Sequence, residues 1–200
     1  LKRFGRYLVN RPRYVQWYTA GEAVINVWVD SDHAGCPRTR KSTSGGVLQF
    51  GPNVVKHWAS TQGVIALSSA EAEYHSMVNG GCQGIGLQSL MADMGVSGLI
   101  NMNVDATAAK AIATRKGLGK VRNINVHQLW LQDKTKDGTI GLTKVATGDN
   151  LANNLTKHIS PDEVTWFIQA SNATTPDGRH ELQPLACLLY TSDAADEVVS

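Results

Sequence analysis

The distribution of apolar and polar residues predicts a strand-rich first part of the chain, followed by helices and strands in turn. The β-branched and aromatic run at residues 23–29 predicts a buried strand. Residues 43–50 and 54–60 predict two further strands, joined by the turn signal Gly51-Pro52-Asn53. The chain is therefore expected to open with an antiparallel group of strands.

A long helix is predicted after this hairpin, from Ser68 toward Asp93. Ser68 and Glu71, three residues apart, have the spacing of a capping box. The same segment contains four glycines, Gly80, Gly81, Gly84 and Gly86. Each weakens a helix by roughly 1 kcal/mol relative to alanine, and close packing against a neighbouring element would explain their presence.

The rest of the chain predicts an alternation of short strands and helices. Strands are expected at residues 99–104 and 139–145, and helical segments at residues 106–114, 124–136 and 150–157. An antiparallel group followed by β-α units predicts an α/β fold in which helices pack on a mixed sheet.

Three acidic residues lie where predicted elements begin or end. Asp30 follows the first strand, Glu73 lies early in the long helix, and Asp105 follows the fourth strand. Carboxylates from separate elements can converge on Mg²⁺, and two such ions can activate a water and stabilise the leaving oxygen of a phosphodiester. Alternatively, each acid is only a surface or strand-end residue. Asp32 is the weaker candidate, because it points the same way as Asp30 only if the strand continues.

Five segments resemble, in order and spacing, the ribonuclease H domains of copia-type retrotransposons. They are residues 30–35 (DSDHAG), 40–46 (RKSTSGG), 66–74 (ALSSAEAEY), 105–109 (DATAA) and 151–157 (LANNLTK). The resemblance implies a ribonuclease H-like fold, with a five-stranded mixed sheet and helices packed on both faces. It also implies cleavage of the RNA strand of RNA–DNA hybrids during reverse transcription.

The resemblance assigns the catalytic and metal-ligating positions to Asp30, Glu73, Asp105 and Asn153. Two Mg²⁺ ions, which Mn²⁺ can replace, are the implied cofactors. Asn153 stands where the family has aspartate, and its amide oxygen brings no charge, so reduced activity is expected. The alternative is an impaired or inactive remnant that only binds nucleic acid. An integrase-like nuclease is disfavoured by the match at residues 66–74.

Two polar loops and the hairpin supply candidate contacts to nucleic acid. Basic side chains contact phosphates, and hydroxyl or amide groups can read the 2′-hydroxyl of RNA. The predicted residues are Arg38, Arg40, Lys41, Ser42, Ser44, Gln62, Arg115, Lys116, Lys120 and Arg122. A solvated charged surface is the alternative interpretation of the basic ones.

Together with the five motifs, similarities at the two ends predict that the chain has four parts. Residues 1–18 resemble the C-terminal end of a reverse transcriptase, a thumb or connection remnant, and residues 20–160 the ribonuclease H domain. Residues 161–186 are expected to form a C-terminal extension containing one more helix. Residues 187–200 resemble the translation of a sequencing adapter, so a non-native and disordered tail is predicted.

The composition of the chain indicates what class of protein it is. A hydrophobic content of 42%, a charged content of 18% and a net charge of +2 are typical of a soluble globular protein. The expected partners are an RNA–DNA hybrid and the reverse transcriptase of the same polyprotein, with no membrane and no small-molecule cofactor. The predicted location is cytoplasmic, in virus-like particles, and also nuclear, without secretion.

Overall fold

The computed structural model describes residues 11, 13–117, 119, 124 and 126–178. Residues 1–10 of the predicted polymerase remnant, Lys120, Arg122 and the predicted tail lie outside the described residues. The chain divides into two compact units. In the smaller, β1 (Val15–Gln16) pairs antiparallel with β7 (Ala173–Thr174). The larger unit comprises residues 17–172, and the domain boundaries drawn from the sequence stay predictions.

A five-stranded sheet forms the centre of the larger unit. Its strands are β2 (Val24–Ser31), β3 (Thr43–Phe50), β4 (Asn53–Thr61), β5 (Leu99–Val104) and β6 (Ile140–Lys144). Their order is β4-β3-β2-β5-β6. The β2–β3 and β3–β4 pairs are antiparallel, whereas β2–β5 and β5–β6 are parallel. The predicted five-stranded mixed sheet is confirmed.

Helical segments connect and cover the strands. They are α1 (Ser69–Asp93), α2 (Thr107–Thr114), α3 (Trp130–Lys136), α4 (Pro161–Ala170) and the 3₁₀ helices Val126–Leu129, Thr147–Asp149 and Leu151–Leu155. None of the helices in the described ranges is long and apolar enough to cross a bilayer.

The two faces of the sheet carry different helices. A Cβ on Gly80 of α1 would meet Val29 and Val27, so α1 lies over that face of β2. A Cβ on Gly45, which pairs with Asp30, would instead lie 3.0 Å from Leu155 Cβ and 3.2 Å from the Ala152 carbonyl oxygen. Because successive strand residues point to opposite faces, the 3₁₀ helix Leu151–Leu155 packs on the other side.

The apolar core lies between α1 and the sheet. Ile25, Val27 and Val29 alternate along β2 and are at most 1% exposed. Tyr74 and Met77 of α1 are equally buried and belong to the same cluster. This alternation explains why β2 forms at the centre of the sheet.

Three of the four helical glycines permit close packing, and the fourth does not. A Cβ would lie 3.4 Å or less from apolar side-chain atoms at Gly80, Gly81 and Gly84. No atom lies within 4 Å of the corresponding point at Gly86. The packing explanation therefore holds for three glycines only.

Replacing Gly80 and Gly86 by alanine should have opposite effects on stability. Gly86→Ala should raise the free energy of unfolding by roughly 1 kcal/mol through helix propensity. Gly80→Ala should lower it, because a Cβ would overlap the buried, β-branched Val29 and overpacking costs about 1–3 kcal/mol. Urea unfolding of both variants measures the difference, and equal stabilisation by both would contradict it.

Some element boundaries differ from the sequence prediction. β2 continues to Ser31, so Asp30 lies inside the strand rather than after it. The predicted helical segment at residues 150–157 is a shorter 3₁₀ helix. Residues 173–174, within the predicted C-terminal extension, form the strand β7, which was not predicted.

Candidate metal centre

Three carboxylates from separate elements converge where the inner strands β2 and β5 end. Asp30 lies near the end of β2, Asp105 directly follows β5, and Glu73 lies near the start of α1. Because β2 and β5 are parallel neighbours, their carboxyl ends lie side by side. One oxygen from each of the three residues lies within 4.8 Å of the others. The structure therefore brings together the three acids singled out in the sequence.

The cluster holds more negative charge than its surroundings neutralise. Burial raises the pKa of Asp30, which is 1% exposed, and the charge of Asp105 raises it further. Burial, followed by the charges of Asp30 and Asp105, raises the pKa of Glu73 to about 8. Three hard oxygen donors with excess negative charge fit a divalent cation such as Mg²⁺ or Mn²⁺.

Without divalent cations, the stability of the fold should fall as pH rises. The pKa of Glu73 is about 8 in the folded chain against an ordinary value of 4.5. Between these values the folded chain holds a proton that the unfolded chain has released, so stability decreases with pH across this window. Thermal unfolding in a chelating buffer measures this decrease, and Glu73→Gln should reduce its slope. An unchanged slope in the variant would contradict this origin.

A buried asparagine fixes the segment that follows β6 onto the central strand. Asn150 is 0% exposed, and its Nδ2 donates to the Val29 carbonyl at 2.9 Å. Its Oδ1 accepts from the Ala152 backbone N–H at 3.1 Å. A side chain at Gly45 would lie 2.7 Å from the Thr156 methyl group, so glycine permits this close approach. These contacts place residues 153–157 beside Asp30.

Two residues of this segment bind the Asp30 carboxylate directly. The Thr156 hydroxyl donates to Asp30 Oδ2, and Lys157 Nζ lies 3.3 Å from Asp30 Oδ1. Both residues lie within the motif at 151–157, but neither was predicted as a site residue. The motif itself was the available signal, since nothing local indicates a contact with a residue so distant in the chain.

Asn153 contacts this lysine rather than the three carboxylates. Its Oδ1 accepts from Lys157 Nζ at 2.9 Å, and its Nδ2 donates to the Thr147 carbonyl. An ammonium can only donate and a carbonyl can only accept, so these partners define which way the amide is oriented.

Asp32 has a separate role at the start of the basic loop. Its Oδ1 accepts from the Thr43 backbone N–H at 2.5 Å. This contact holds the loop between β2 and β3 and leaves Asp32 outside the carboxylate cluster. The preference for Asp30 therefore agrees with the geometry.

The predicted nucleic-acid contacts lie in different environments. Arg38, Arg40 and Lys116 are exposed, whereas Lys41 and Arg115 are half-buried. Ser42 is fully buried, and its hydroxyl accepts from the Ala34 backbone N–H at 3.0 Å.

Ser44 and Gln62 line a cavity of about 360 Å³ beside the start of α1. Gln62 Nε2 donates to Ser44 Oγ at 2.9 Å and to the Ala72 carbonyl at 2.8 Å. Gln62 Oε1 is buried and has no hydrogen-bond partner within the described part of the chain. The unused acceptor therefore belongs to an amide whose Nε2 contacts Ala72, the residue before Glu73.

Sequence comparison identifies the relatives of this chain. It is 26% identical over 166 residues to the retrovirus-related Pol polyprotein from transposon RE1 of Arabidopsis thaliana, covering 80% of this chain and 11% of that polyprotein. It is 25% identical over 155 residues to the corresponding polyprotein from transposon TNT 1-94 of Nicotiana tabacum, covering 76% and 12%. Both of these homologues are retrotransposon Pol polyproteins. No family model matches the chain.

The retrotransposon resemblance seen in the sequence is confirmed by these relatives, of which the chain spans only about a tenth. Among solved structures, LC11 ribonuclease H1 isolated from compost has a TM-score of 0.47 and 15% identity, over 67% of this chain and 93% of that one. The same enzyme in complex with an RNA/DNA hybrid gives 0.45 and 13%, over 66% and 92%. The five-stranded mixed sheet, with helices on it, agrees with the predicted ribonuclease H-like fold.

Proposed function

We propose that this Pol segment is a metal-dependent endoribonuclease that cleaves the RNA strand of RNA–DNA hybrids. The observation that carries the proposal is the convergence of Asp30, Glu73 and Asp105 at the carboxyl ends of two parallel strands. Mg²⁺ or Mn²⁺ ions held by these carboxylates would activate a water and stabilise the leaving oxygen of the phosphodiester. The products would carry 3′-hydroxyl and 5′-phosphate ends.

The residues of the site have separate tasks in this proposal. Asp30 lies at the centre, and Thr156 and Lys157 fix both oxygens of its carboxylate. Glu73 keeps a proton near neutral pH, and cation binding would release it, as expected where ligands must deprotonate.

Substrate binding would use the exposed cations of the two loops. Arg38, Arg40 and Lys116 are accessible to phosphates, which supply affinity without sequence information. The unpartnered Gln62 Oε1 is suited to accept a hydrogen bond from a 2′-hydroxyl, the group that distinguishes RNA from DNA.

Removing two exposed arginines should weaken hybrid binding and its salt dependence. Arg38→Ala combined with Arg40→Ala should reduce the slope of log affinity against log salt by roughly 0.9 per lost phosphate contact. Fluorescence anisotropy with a labelled hybrid measures the slope in a chelating buffer. Lys134→Ala, which removes a half-buried lysine paired with Asp137, is the control, and an equal loss there would contradict a local interface.

A second candidate function is binding of nucleic acid without efficient cleavage. The observation that favours it is Asn153, whose amide contacts Lys157 and Thr147 instead of adding a fourth carboxylate. In either case we propose that the segment acts beside the polymerase of its parent polyprotein, in cytoplasmic virus-like particles and in the nucleus. Its task there would be removal of template RNA.

Cleavage of an end-labelled RNA–DNA hybrid tests the proposed function. The full chain should cut the RNA strand with Mg²⁺ or Mn²⁺, and should leave single-stranded RNA and duplex DNA intact. Binding of the hybrid without cutting would favour the second candidate. Neither binding nor cutting by the folded protein would contradict both.

A further inference from the structure

The side chain of Lys157 joins Asp30 to the fourth ligand position of the family. Its Nζ lies 3.3 Å from Asp30 Oδ1 and 2.9 Å from Asn153 Oδ1. These two oxygens belong to a central carboxylate and to the residue that replaces the family's fourth carboxylate. A metal ion that used both oxygens would have to take them from the ammonium.

The orientation of Asn153 strengthens this arrangement. Its Nδ2 donates to the Thr147 carbonyl, so Oδ1 is the atom directed at Lys157. The Lys157 backbone N–H also donates to the Asn153 carbonyl at 3.1 Å, which fixes the spacing of the two residues. Thr156 holds the second oxygen of Asp30. The Lys157 ammonium therefore contacts two oxygens whose own side chains are fixed by further hydrogen bonds.

The net charge of the site also favours one divalent ion over two. Once cation binding has released the proton of Glu73, three ionised carboxylates and one ammonium leave a net charge of −2, which one divalent ion neutralises. Two divalent ions would turn the cluster strongly positive while Lys157 remained in place. The Lys157 ammonium and a second divalent ion bound to the same oxygens would repel each other strongly, because the site is partly buried.

We propose that the Lys157 ammonium occupies the place of one of two divalent cations, so that this chain binds a single divalent ion at Asp30, Glu73 and Asp105. A second ion enters only when Lys157 is displaced or removed. The inference rests on the proposed function for the identity of the site, but it concerns the number of ions rather than cleavage. It assigns Lys157 the role of a positioning residue.

Counting bound Mn²⁺ by electron paramagnetic resonance tests the inference without any activity measurement. The full chain should remove one Mn²⁺ from solution per molecule. Lys157→Met should bind a second Mn²⁺ about tenfold or more tightly than the parent does, because the repulsion has gone. Lys157→Arg keeps the positive charge and should bind one ion.

A lysine elsewhere on the surface provides the matched control. Lys134 Nζ lies 3.3 Å from an Asp137 carboxylate oxygen, the same separation as in the Lys157–Asp30 pair. Lys134→Met removes the same charge from an ion pair outside the site and should leave the count at one. Since the Lys157 side chain is 46% exposed, its replacement should preserve the fold, as circular dichroism would show. If Lys157→Met unfolds, Lys157→Gln takes its place.

The outcomes separate this inference from the proposed nuclease activity. Two tightly bound Mn²⁺ ions in the parent, or one in both the parent and Lys157→Met, would overturn the inference even if the chain cleaves hybrids. One ion in the parent and two in Lys157→Met would support it, even if neither protein cleaves.

Discussion

Asp30→Asn should abolish cleavage of the hybrid, with a loss of rate of more than about a hundredfold. Replacing a residue that only hydrogen-bonds to a metal ligand typically costs about 10–100-fold. The amide keeps the size of the carboxylate and an oxygen for the Thr156 hydroxyl, but it removes the charge at the centre of the cluster. Rates of cleavage under single-turnover conditions, with hybrid affinity measured separately, give the size of the loss.

Asp32→Asn is the matched control for this variant. Asp32 lies two residues away and uses its Oδ1 to accept from the Thr43 backbone N–H, a bond that an amide oxygen can also accept. Its activity should stay close to that of the parent. Equal losses in both variants would contradict the assignment of Asp30 to the site.

The fold should survive Asp30→Asn. Burial and the nearby Asp105 raise the pKa of Asp30, so its charged form is disfavoured in the metal-free protein. Removing that charge should leave the melting temperature unchanged or raise it in a chelating buffer. This result would separate a lost catalytic group from a lost structure.

Asn153→Asp should bind Mg²⁺ roughly tenfold more tightly than the parent, because a further unit charge close to a divalent ion attracts it. Lys157, which already contacts this side chain at 2.9 Å, will compensate part of the new charge. The gain should therefore be larger when Lys157→Met is added. Isothermal titration calorimetry measures all three proteins.

Equal Mg²⁺ affinity in the parent and in Asn153→Asp would contradict the expectation that the uncharged amide of Asn153 weakens Mg²⁺ binding. Hybrid cleavage on the same preparations then distinguishes the two candidate functions. Cutting gained only in Asn153→Asp would mean that the parent keeps the fold and has lost efficient catalysis. Cutting by both would show that three carboxylates suffice.

The sheet was predictable because its strands carry strong local signals. The β-branched alternation around Val27 and the turn at Gly51 placed β2, β3 and β4 within a few residues of their observed bounds. The predicted end of β2 was wrong because Asp30 and Ser31 are polar. Only their pairing with Gly45 and Ser44 shows that the strand continues.

The convergence of the carboxylates was predictable, but the contacts around them were not. Strand ends and a helix start made Asp30, Glu73 and Asp105 candidates, and the family resemblance favoured them over the surface interpretation. The partnership of Asp30 with Thr156 and Lys157 depends on tertiary packing, above all on the Asn150 side chain. Neither hydrophobic periodicity nor local propensity contains information on a contact of that kind.

The link between Asn150 and Val29 also sets an order of events during synthesis. It joins residues separated by 121 positions, and such non-local contacts form late because a long loop must close first. β2 and β3 can pair as soon as the hairpin has left the ribosome. The side chains that hold Asp30 follow much later, so the site is completed only after nearly the whole domain has been made.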